Sequence, residues 1–198
     1  MGLDLELLRV AREAPTRFAQ SPSIAVVGRL TADKNLDLIV QAFVQVRRRI
    51  PTATLTFIGS PVSGDRPWEV PREPNIEHIP WVANPYPLIA GADVLVSGSR
   101  REGFPLGVAE ALAMNVPVVA VANRGTRQQH RDHPSGLRLV APRPSAMAEA
   151  LIETLSQRKP ALVEPPETWS QDSAIAFHTA VVLSALPRSS GESGVGAG

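Results

Sequence analysis

The chain has no cysteine among its 198 residues, which excludes disulfides, thiol nucleophiles and zinc–thiolate centres. Aromatic residues make up only 5%, with a single tyrosine. No charge sign dominates: 20 Lys and Arg face 19 Asp and Glu, a net charge of +1. That balance argues against nucleic acid as a partner bound through a broad basic surface. Long apolar runs are missing as well. The longest, such as Val116–Ala122, is too short to cross a bilayer, and residues 1–12 lack the basic start and apolar core of a signal peptide. These absences fit a cytoplasmic protein, or one peripheral at the inner membrane face.

What is present is hydrophobic content of 43%, punctuated by 19 prolines. Short, largely apolar runs, Ile24–Val27, Thr54–Ile58, Val94–Ser97, Val116–Ala122 and Leu137–Val140, read as buried strands, and Ile76–Ile79 reads as a weak strand. Between them lie helical patterns. From Asn35 to Arg49, Leu36, Ile39, Val40 and Phe43 fall at i, i+3, i+4 and i+7. Helices are also predicted around Tyr86–Ala90, from Pro105 to Met114 with Asn115 in the left-handed cap position, and from a cap at Ser145 to about Gln157. A last helix is predicted over Glu167–Leu186. Alternation of this kind predicts an α/β fold: a single Rossmann-like domain with a mostly parallel sheet flanked by helices. The expected organisation is a linker-like segment at 1–22, the Rossmann-like domain at 23–160, a linker and helix at 161–187, and a Ser/Gly-rich disordered tail at 188–198.

In such sheets ligands bind beyond the carboxyl ends of the strands, so the loops there carry the functional reading. Several motifs fail. No G-x-G-x-x-G follows the first strand, which argues against NAD or FAD. Gly59 and Gly64 have the spacing of a P-loop, but Asp65-Arg66 follows where Lys-Ser/Thr is needed. The four histidines show no metal-ligand spacing, and no nucleophile elbow is present.

Two stretches survive. Gly28-Arg29-Leu30-Thr31-Ala32-Asp33-Lys34 places two cations between a strand end and a helix start, which suits a diphosphate. Taken alone it also fits a solvated loop capped by Asp33. Ser99–Glu110 carries Glu102 in a loop and Glu110 on the second turn of a small, apolar helix. Glu102 fits either a sugar site or simple complementation of the helix dipole. Glu110 fits either ribose hydroxyls or solvent. The amides of Gly103 and Phe104, at a helix N-terminus, suit sugar hydroxyls or phosphate.

Together these stretches resemble the carboxyl-terminal domain of the GT-B glycosyltransferases of family 4, the group with the E-x7-E motif. The resemblance runs over residues 2–183, through the GRL…K loop at Gly28–Lys34, the run Ser99–Ala120, and Thr168-Trp169-Ser170. Arg124–Gln128 resembles members that build polysaccharide or lipid-linked oligosaccharide. The resemblance implies a retaining glycosyltransferase using a UDP- or GDP-linked sugar, with no cofactor and no metal. It assigns Arg29 and Lys34 to the diphosphate and Glu102 to the donor sugar, as catalytic residues. Glu110 is assigned to the ribose. Gly28 and the turn Gly103, Phe104, Pro105 and Leu106 should face the donor. Trp81 and Val82 should lie by the nucleobase, although Trp81 also reads as a packing residue. Gly98, Asn115 and Gln128 depart from the pattern, where Pro, Gly and Glu are common.

The resemblance also implies an amino-terminal, acceptor-binding domain, in cis or in trans, through which the protein could sit peripherally on a membrane. Residues 1–4 resemble the linker that follows that domain. A non-catalytic nucleotide-sugar-binding module and a sugar epimerase of similar shape are the alternative readings.

Overall fold

In the computed structural model, residues 2–16, 18, 21–61, 64, 68–157, 161–173 and 175–176 are described. The apolar runs form strands β1 (Ser23–Val27), β2 (Thr54–Ile58), β3 (Ile76–Ile79), β4 (Val94–Ser97), β5 (Val118–Val121) and β6 (Leu137–Val140). They form one sheet in the order β3-β2-β1-β4-β5-β6. Every neighbouring pair is parallel. Parallel strands covered on both faces have no solvent side, which is why the central β1, β4 and β5 are almost continuously apolar, whereas edge strand β3, Ile-Glu-His-Ile, leaves Glu77 and His78 exposed. The chain winds outward from β1 towards β3, then returns to the centre and winds the other way from β4. The loops after β1 and β4 therefore diverge and leave a crevice at the switch point.

The helices are α1 (Leu5–Glu13), α2 (Leu36–Arg49), α3 (Tyr86–Gly91), α4 (Leu106–Ala113), α5 (Arg124–Asp132) and α6 (Pro144–Ser156). Helices α2 and α6 pack together on one face, where Leu36, Ile39, Phe43 and Val46 of α2 meet Met147 and Leu151 of α6. Full burial of each such side chain contributes roughly 1.5–3 kcal/mol. Helices α1, α3 and α4 contribute to the other apolar cluster, with Leu8, Ile89, Val108 and Leu112 buried alongside Trp169.

Several expectations are corrected. Residues 1–22, read as linker-like, contain α1. Its N-cap Asp4 accepts a 2.9 Å hydrogen bond from the Leu7 amide, and Leu8 and Ala11 are buried. Helix α6 is preceded by Arg143 with Pro144 in its first turn, and Ser145 does not cap it. Pro105 is the N-cap of α4 rather than its first helical residue, and Asn35 plays the same part for α2. Strand β5 is confined to Val118–Val121, within the longer run expected. The predicted last helix opens instead as a 3-10 turn at Glu167–Trp169, with helical residues at 171–173 and 175–176. Its expected continuation to Leu186, and the tail at 188–198, lie outside the described residues. Asn115 takes the left-handed conformation expected of it, φ 59°.

Helix α5 was not expected, because Arg124–Asp132 has no apolar stripe. Its buried face is Gly125, Thr126 and Gln129. Polar contacts hold it instead. Asn123 and Thr126 form a reciprocal capping box, and the Asn123 amide group donates to the Ser99 carbonyl at 3.0 Å. The Gln129 amide group donates to the Pro105 carbonyl, also at 3.0 Å. These bonds tie α5 to the loop after β4. Replacing Asn123 by Ala removes the cap and the tie together. The expected loss is about 2 kcal/mol in urea unfolding. An unchanged midpoint would show that α5 is held by other means.

Candidate functional site

The loop after β1 begins at Gly28, whose φ of 132° belongs to a region that L side chains rarely adopt. No atom lies within 4 Å of where a Cβ would stand, so the backbone here faces open space. Leu30 and Thr31 are buried and anchor the loop. The Thr31 hydroxyl donates to the Asp33 carboxylate, and this bond is the main reason the Asp33 carboxyl is held below its ordinary range; Lys34 and Arg29 lower it further. The Arg29 guanidinium lies 3.7 Å from Asp33, half exposed. Asp33 thus steadies the loop through Thr31 and Arg29 rather than by capping a helix.

The loop after β4 supplies the opposing wall. A Cβ at Gly98 would stand 2.9 Å from the carbonyl oxygens of both Lys34 and Asn35, so this glycine lets the two loops touch. The contact brings the Lys34 ammonium to 2.6 Å from the Glu102 carboxylate, each side chain about one-fifth exposed. Glu102 is therefore an ion-pair partner of the other loop. A cleft of about 480 Å³ opens between the two loops. Gly28, Arg29, Lys34, Glu102, Phe104, Pro105 and Leu106 line it. The start of α4 points into this region, with the positive end of its dipole foremost. The cleft can accommodate an anion, with Lys34 able to give one N–H to Glu102 and others to a ligand.

Four predicted site residues are not part of that lining. Gly103 lies in the same turn and is exposed. Glu110 sits one turn further along α4, half-buried, and accepts a 3.3 Å hydrogen bond from the Tyr86 hydroxyl. Burial raises the Glu110 carboxyl above its ordinary range, and the bond from Tyr86 opposes that shift only in part. Trp81 and Val82 follow β3 at the same edge of the sheet. Trp81 is 73% exposed, which corrects its reading as a packing residue. Its amide donates to the Ser60 hydroxyl at 3.0 Å.

Tyr86, Gln129 and Gly98 shape the site without having been singled out for those contacts. Only the singularity of Tyr86 in the sequence marks it beforehand. His133 has structural partners: its ring nitrogens lie 3.0 and 2.9 Å from the Ser135 and Val163 carbonyl oxygens. A larger cavity, about 630 Å³, lies at the opposite edge of the sheet between the amino ends of the strands. Size favours it, but chemistry does not. Its one carboxylate, Asp93, is engaged by the Ser21 hydroxyl and by the amide and hydroxyl of Ser23. Parallel sheets bind ligands at the other edge.

The burial of Glu110 has a measurable consequence. Its folded-state pKa is raised, so the folded protein binds a proton more readily than the unfolded chain there. Stability from this group is lowest above the folded value and rises as pH falls through it towards 4.5. Glu110→Gln keeps an acceptor for Tyr86 and removes the charge. It is expected to raise the urea midpoint at pH 7 and to remove this contribution to the pH profile. A lower midpoint at pH 7 would contradict that account.

Comparisons with known proteins give the cleft a context. A family model described as glycosyl transferases group 1 matches residues 21–157. The glycosyltransferase EpsD of Bacillus subtilis is 28% identical over 156 residues, covering 76% of this chain and 40% of that protein. The D-inositol 3-phosphate glycosyltransferase of Corynebacterium aurimucosum is 30% identical over 144 residues, covering 67% of this chain and 34% of that protein. The chain thus spans well under half the length of these relatives. Among solved structures, Anabaena HepE in complex with UDP and glucose has a TM-score of 0.70 at 19% identity, over 93% of this chain and 55% of that one. The carboxyl-terminal domain of LpcC, a glycosyl transferase group 1 family protein of Francisella tularensis, has a TM-score of 0.61 at 20% identity. There the match covers 79% of this chain and 89% of that one. The chain belongs to the glycosyl transferases group 1 family, with the fold of the carboxyl-terminal domain of a GT-B glycosyltransferase.

Proposed function

We propose that this domain binds a nucleotide diphosphate sugar in the cleft between the loops after β1 and β4. In this reading it forms the donor half of a retaining glycosyltransferase of polysaccharide or glycolipid synthesis. One observation carries the proposal: Arg29, Lys34 and Glu102, from two loops 68 residues apart at the ion pair, line one cleft beside the start of a helix. The UDP held by Anabaena HepE supports a nucleotide diphosphate as the ligand class.

In this reading Arg29 and Lys34 hold the diphosphate and stabilise the charge that develops as it departs. Glu102 holds Lys34 and faces the donor sugar. The amides of Gly103 and Phe104, with Gly28, Pro105 and Leu106 around them, fit close to the donor. Glu110 accepts from ribose hydroxyls, and Trp81 and Val82 lie by the base. The sugar's anomeric carbon loses its bond to the phosphate oxygen and gains one to the acceptor oxygen on the same face. The acceptor hydroxyl's proton passes to the departing diphosphate. Two cations and a helix N-terminus supply the positive charge, so the proposal invokes no cofactor and no metal. The acceptor is held by a further domain, in cis or in trans, working in the cytoplasm or at the inner membrane face. Among the described residues no helix is long and apolar enough to cross a membrane.

Charge-assisted hydrogen bonds contribute about 1.5–3 kcal/mol, so Arg29→Ala and Lys34→Ala should each weaken UDP or GDP binding by roughly ten- to a hundredfold. Isothermal calorimetry on the isolated chain reads this directly. Unchanged affinity in both variants would remove the proposal.

A further inference from the structure

We propose that Trp169 is a positioning residue for the donor cleft: through the ring of Phe104 it sets the orientation of the turn at residues 102–105. This rests on the donor-site reading above and extends it to a segment beyond the matched family region, residues 21–157.

The turn is pinned at its two ends. The Glu102 carbonyl accepts from the Gly125 amide at 3.0 Å, and the Pro105 carbonyl accepts from Gln129 at 3.0 Å. Between these anchors lie Gly103 and Phe104, whose amides are the groups proposed to face the donor. Gly103 is exposed and has no side chain to hold it. The Gly103 carbonyl lies close against Gly125, and the Phe104 ring is the one side chain between the two anchors that can orient the span. That ring meets Trp169 edge-on, with centroids 5.6 Å apart and planes at 83°. This is a favoured aromatic geometry, and one that fixes direction as well as distance.

Trp169 is itself tightly placed. It is 3% exposed, and its ring lies 5.8 Å from that of His133. Its backbone is clipped to the start of the chain: the Leu3 amide donates to the Trp169 carbonyl at 2.8 Å, and the Gln171 amide donates to the Leu3 carbonyl at 2.8 Å. His133 in turn reaches the Val163 carbonyl, holding the strand of chain that leads to Trp169. Segments from both ends of the described chain thus converge behind the donor turn.

A requirement for a well-filled core does not by itself account for a tryptophan here. Its indole Nε1 is buried without a hydrogen-bond partner among the described residues, which costs free energy that a phenylalanine would not incur. The indole does have the reach to touch His133 and Phe104 at once from a backbone held at Leu3.

The test is calorimetric titration of the full chain with UDP and with GDP, alongside thermal unfolding. Trp169→Ala should weaken binding of the nucleotide that wild type accepts by roughly tenfold, since small misplacement of binding groups is costly. Trp169→Phe, which keeps an aromatic ring against Phe104, should recover most of that loss. Phe104→Ala should lose affinity too, and the double variant with Trp169→Ala should lose no more than the worse single one. A second readout does not depend on truncating Trp169. The chain has three tryptophans, so Trp68→Phe with Trp81→Phe leaves Trp169 as the sole reporter. Its emission should change on titration with the midpoint that calorimetry gives for the same variant, although Trp169 does not line the cleft. Full affinity in a folded Trp169→Ala protein, additive losses in the double variant, or constant emission at saturation would each overturn the proposal. If wild type binds neither nucleotide, the donor-site reading itself fails, and this inference with it.

Discussion

The 2.6 Å contact between Lys34 and Glu102 crosses the point where the sheet reverses its winding order. One partner follows β1 and the other follows β4, so each loop limits where the other can go. The contact depends in turn on Gly98, where any side chain would push the first loop away by meeting the carbonyl oxygens of Lys34 and Asn35. A partly exposed ion pair of this kind adds little to stability. Its consequence is geometric: it keeps a lysine and a glutamate together beside the start of α4, in a cleft wide enough for a phosphate-bearing ligand.

Around that contact the molecule accepts local costs. Glu110 is half-buried with one hydrogen-bond donor, Tyr86, and its carboxyl is correspondingly raised. Among the described residues, Trp169 buries an indole N–H and Gln129 a side-chain oxygen without a hydrogen-bond partner. Trp81 leaves most of its ring in solvent. A sequence shaped for stability alone would avoid each of these. Glu110, Gln129 and Trp81 lie on segments near the carboxyl edge of the sheet and Trp169 packs behind the turn at residues 102–105, while Thr56, in the middle of β2, buries a further unpartnered hydroxyl among the described residues.

Much of this was legible in the sequence. Apolar runs marked the central strands β1, β4 and β5, because a parallel sheet buries both their faces, whereas edge strand β3 is apolar only at Ile76 and Ile79. The stripe from Leu36 to Phe43 marked α2, because one face of that helix meets the core. Residues that carry charge near strand ends were legible too, and Arg29, Lys34 and Glu102 do meet in one cleft. What escaped reading lacks an apolar signature. Helix α5 buries a glycine, a threonine and a glutamine and is held by side-chain hydrogen bonds, so no periodicity betrays it. Helix α1 lies in a stretch whose resemblance to a linker obscured its Leu5–Leu8 spacing. The pairing of Lys34 with Glu102, and of Tyr86 with Glu110, depends on contacts between distant segments. So does the approach of Trp169 to Phe104. None of these can be read from local pattern.

The proposed diphosphate site has two cations, Lys34 held by Glu102 of the opposing loop and Arg29 beside Asp33 of its own loop. The direct measurement is calorimetric comparison of a nucleoside diphosphate with its monophosphate, UDP against UMP and GDP against GMP, at low and moderate salt. The account predicts that the diphosphate of one pair binds about tenfold or more tightly than its monophosphate. It also predicts that the advantage shrinks as salt screens the contact. Equal affinity for diphosphate and monophosphate in both pairs, or no binding of either diphosphate, would contradict it.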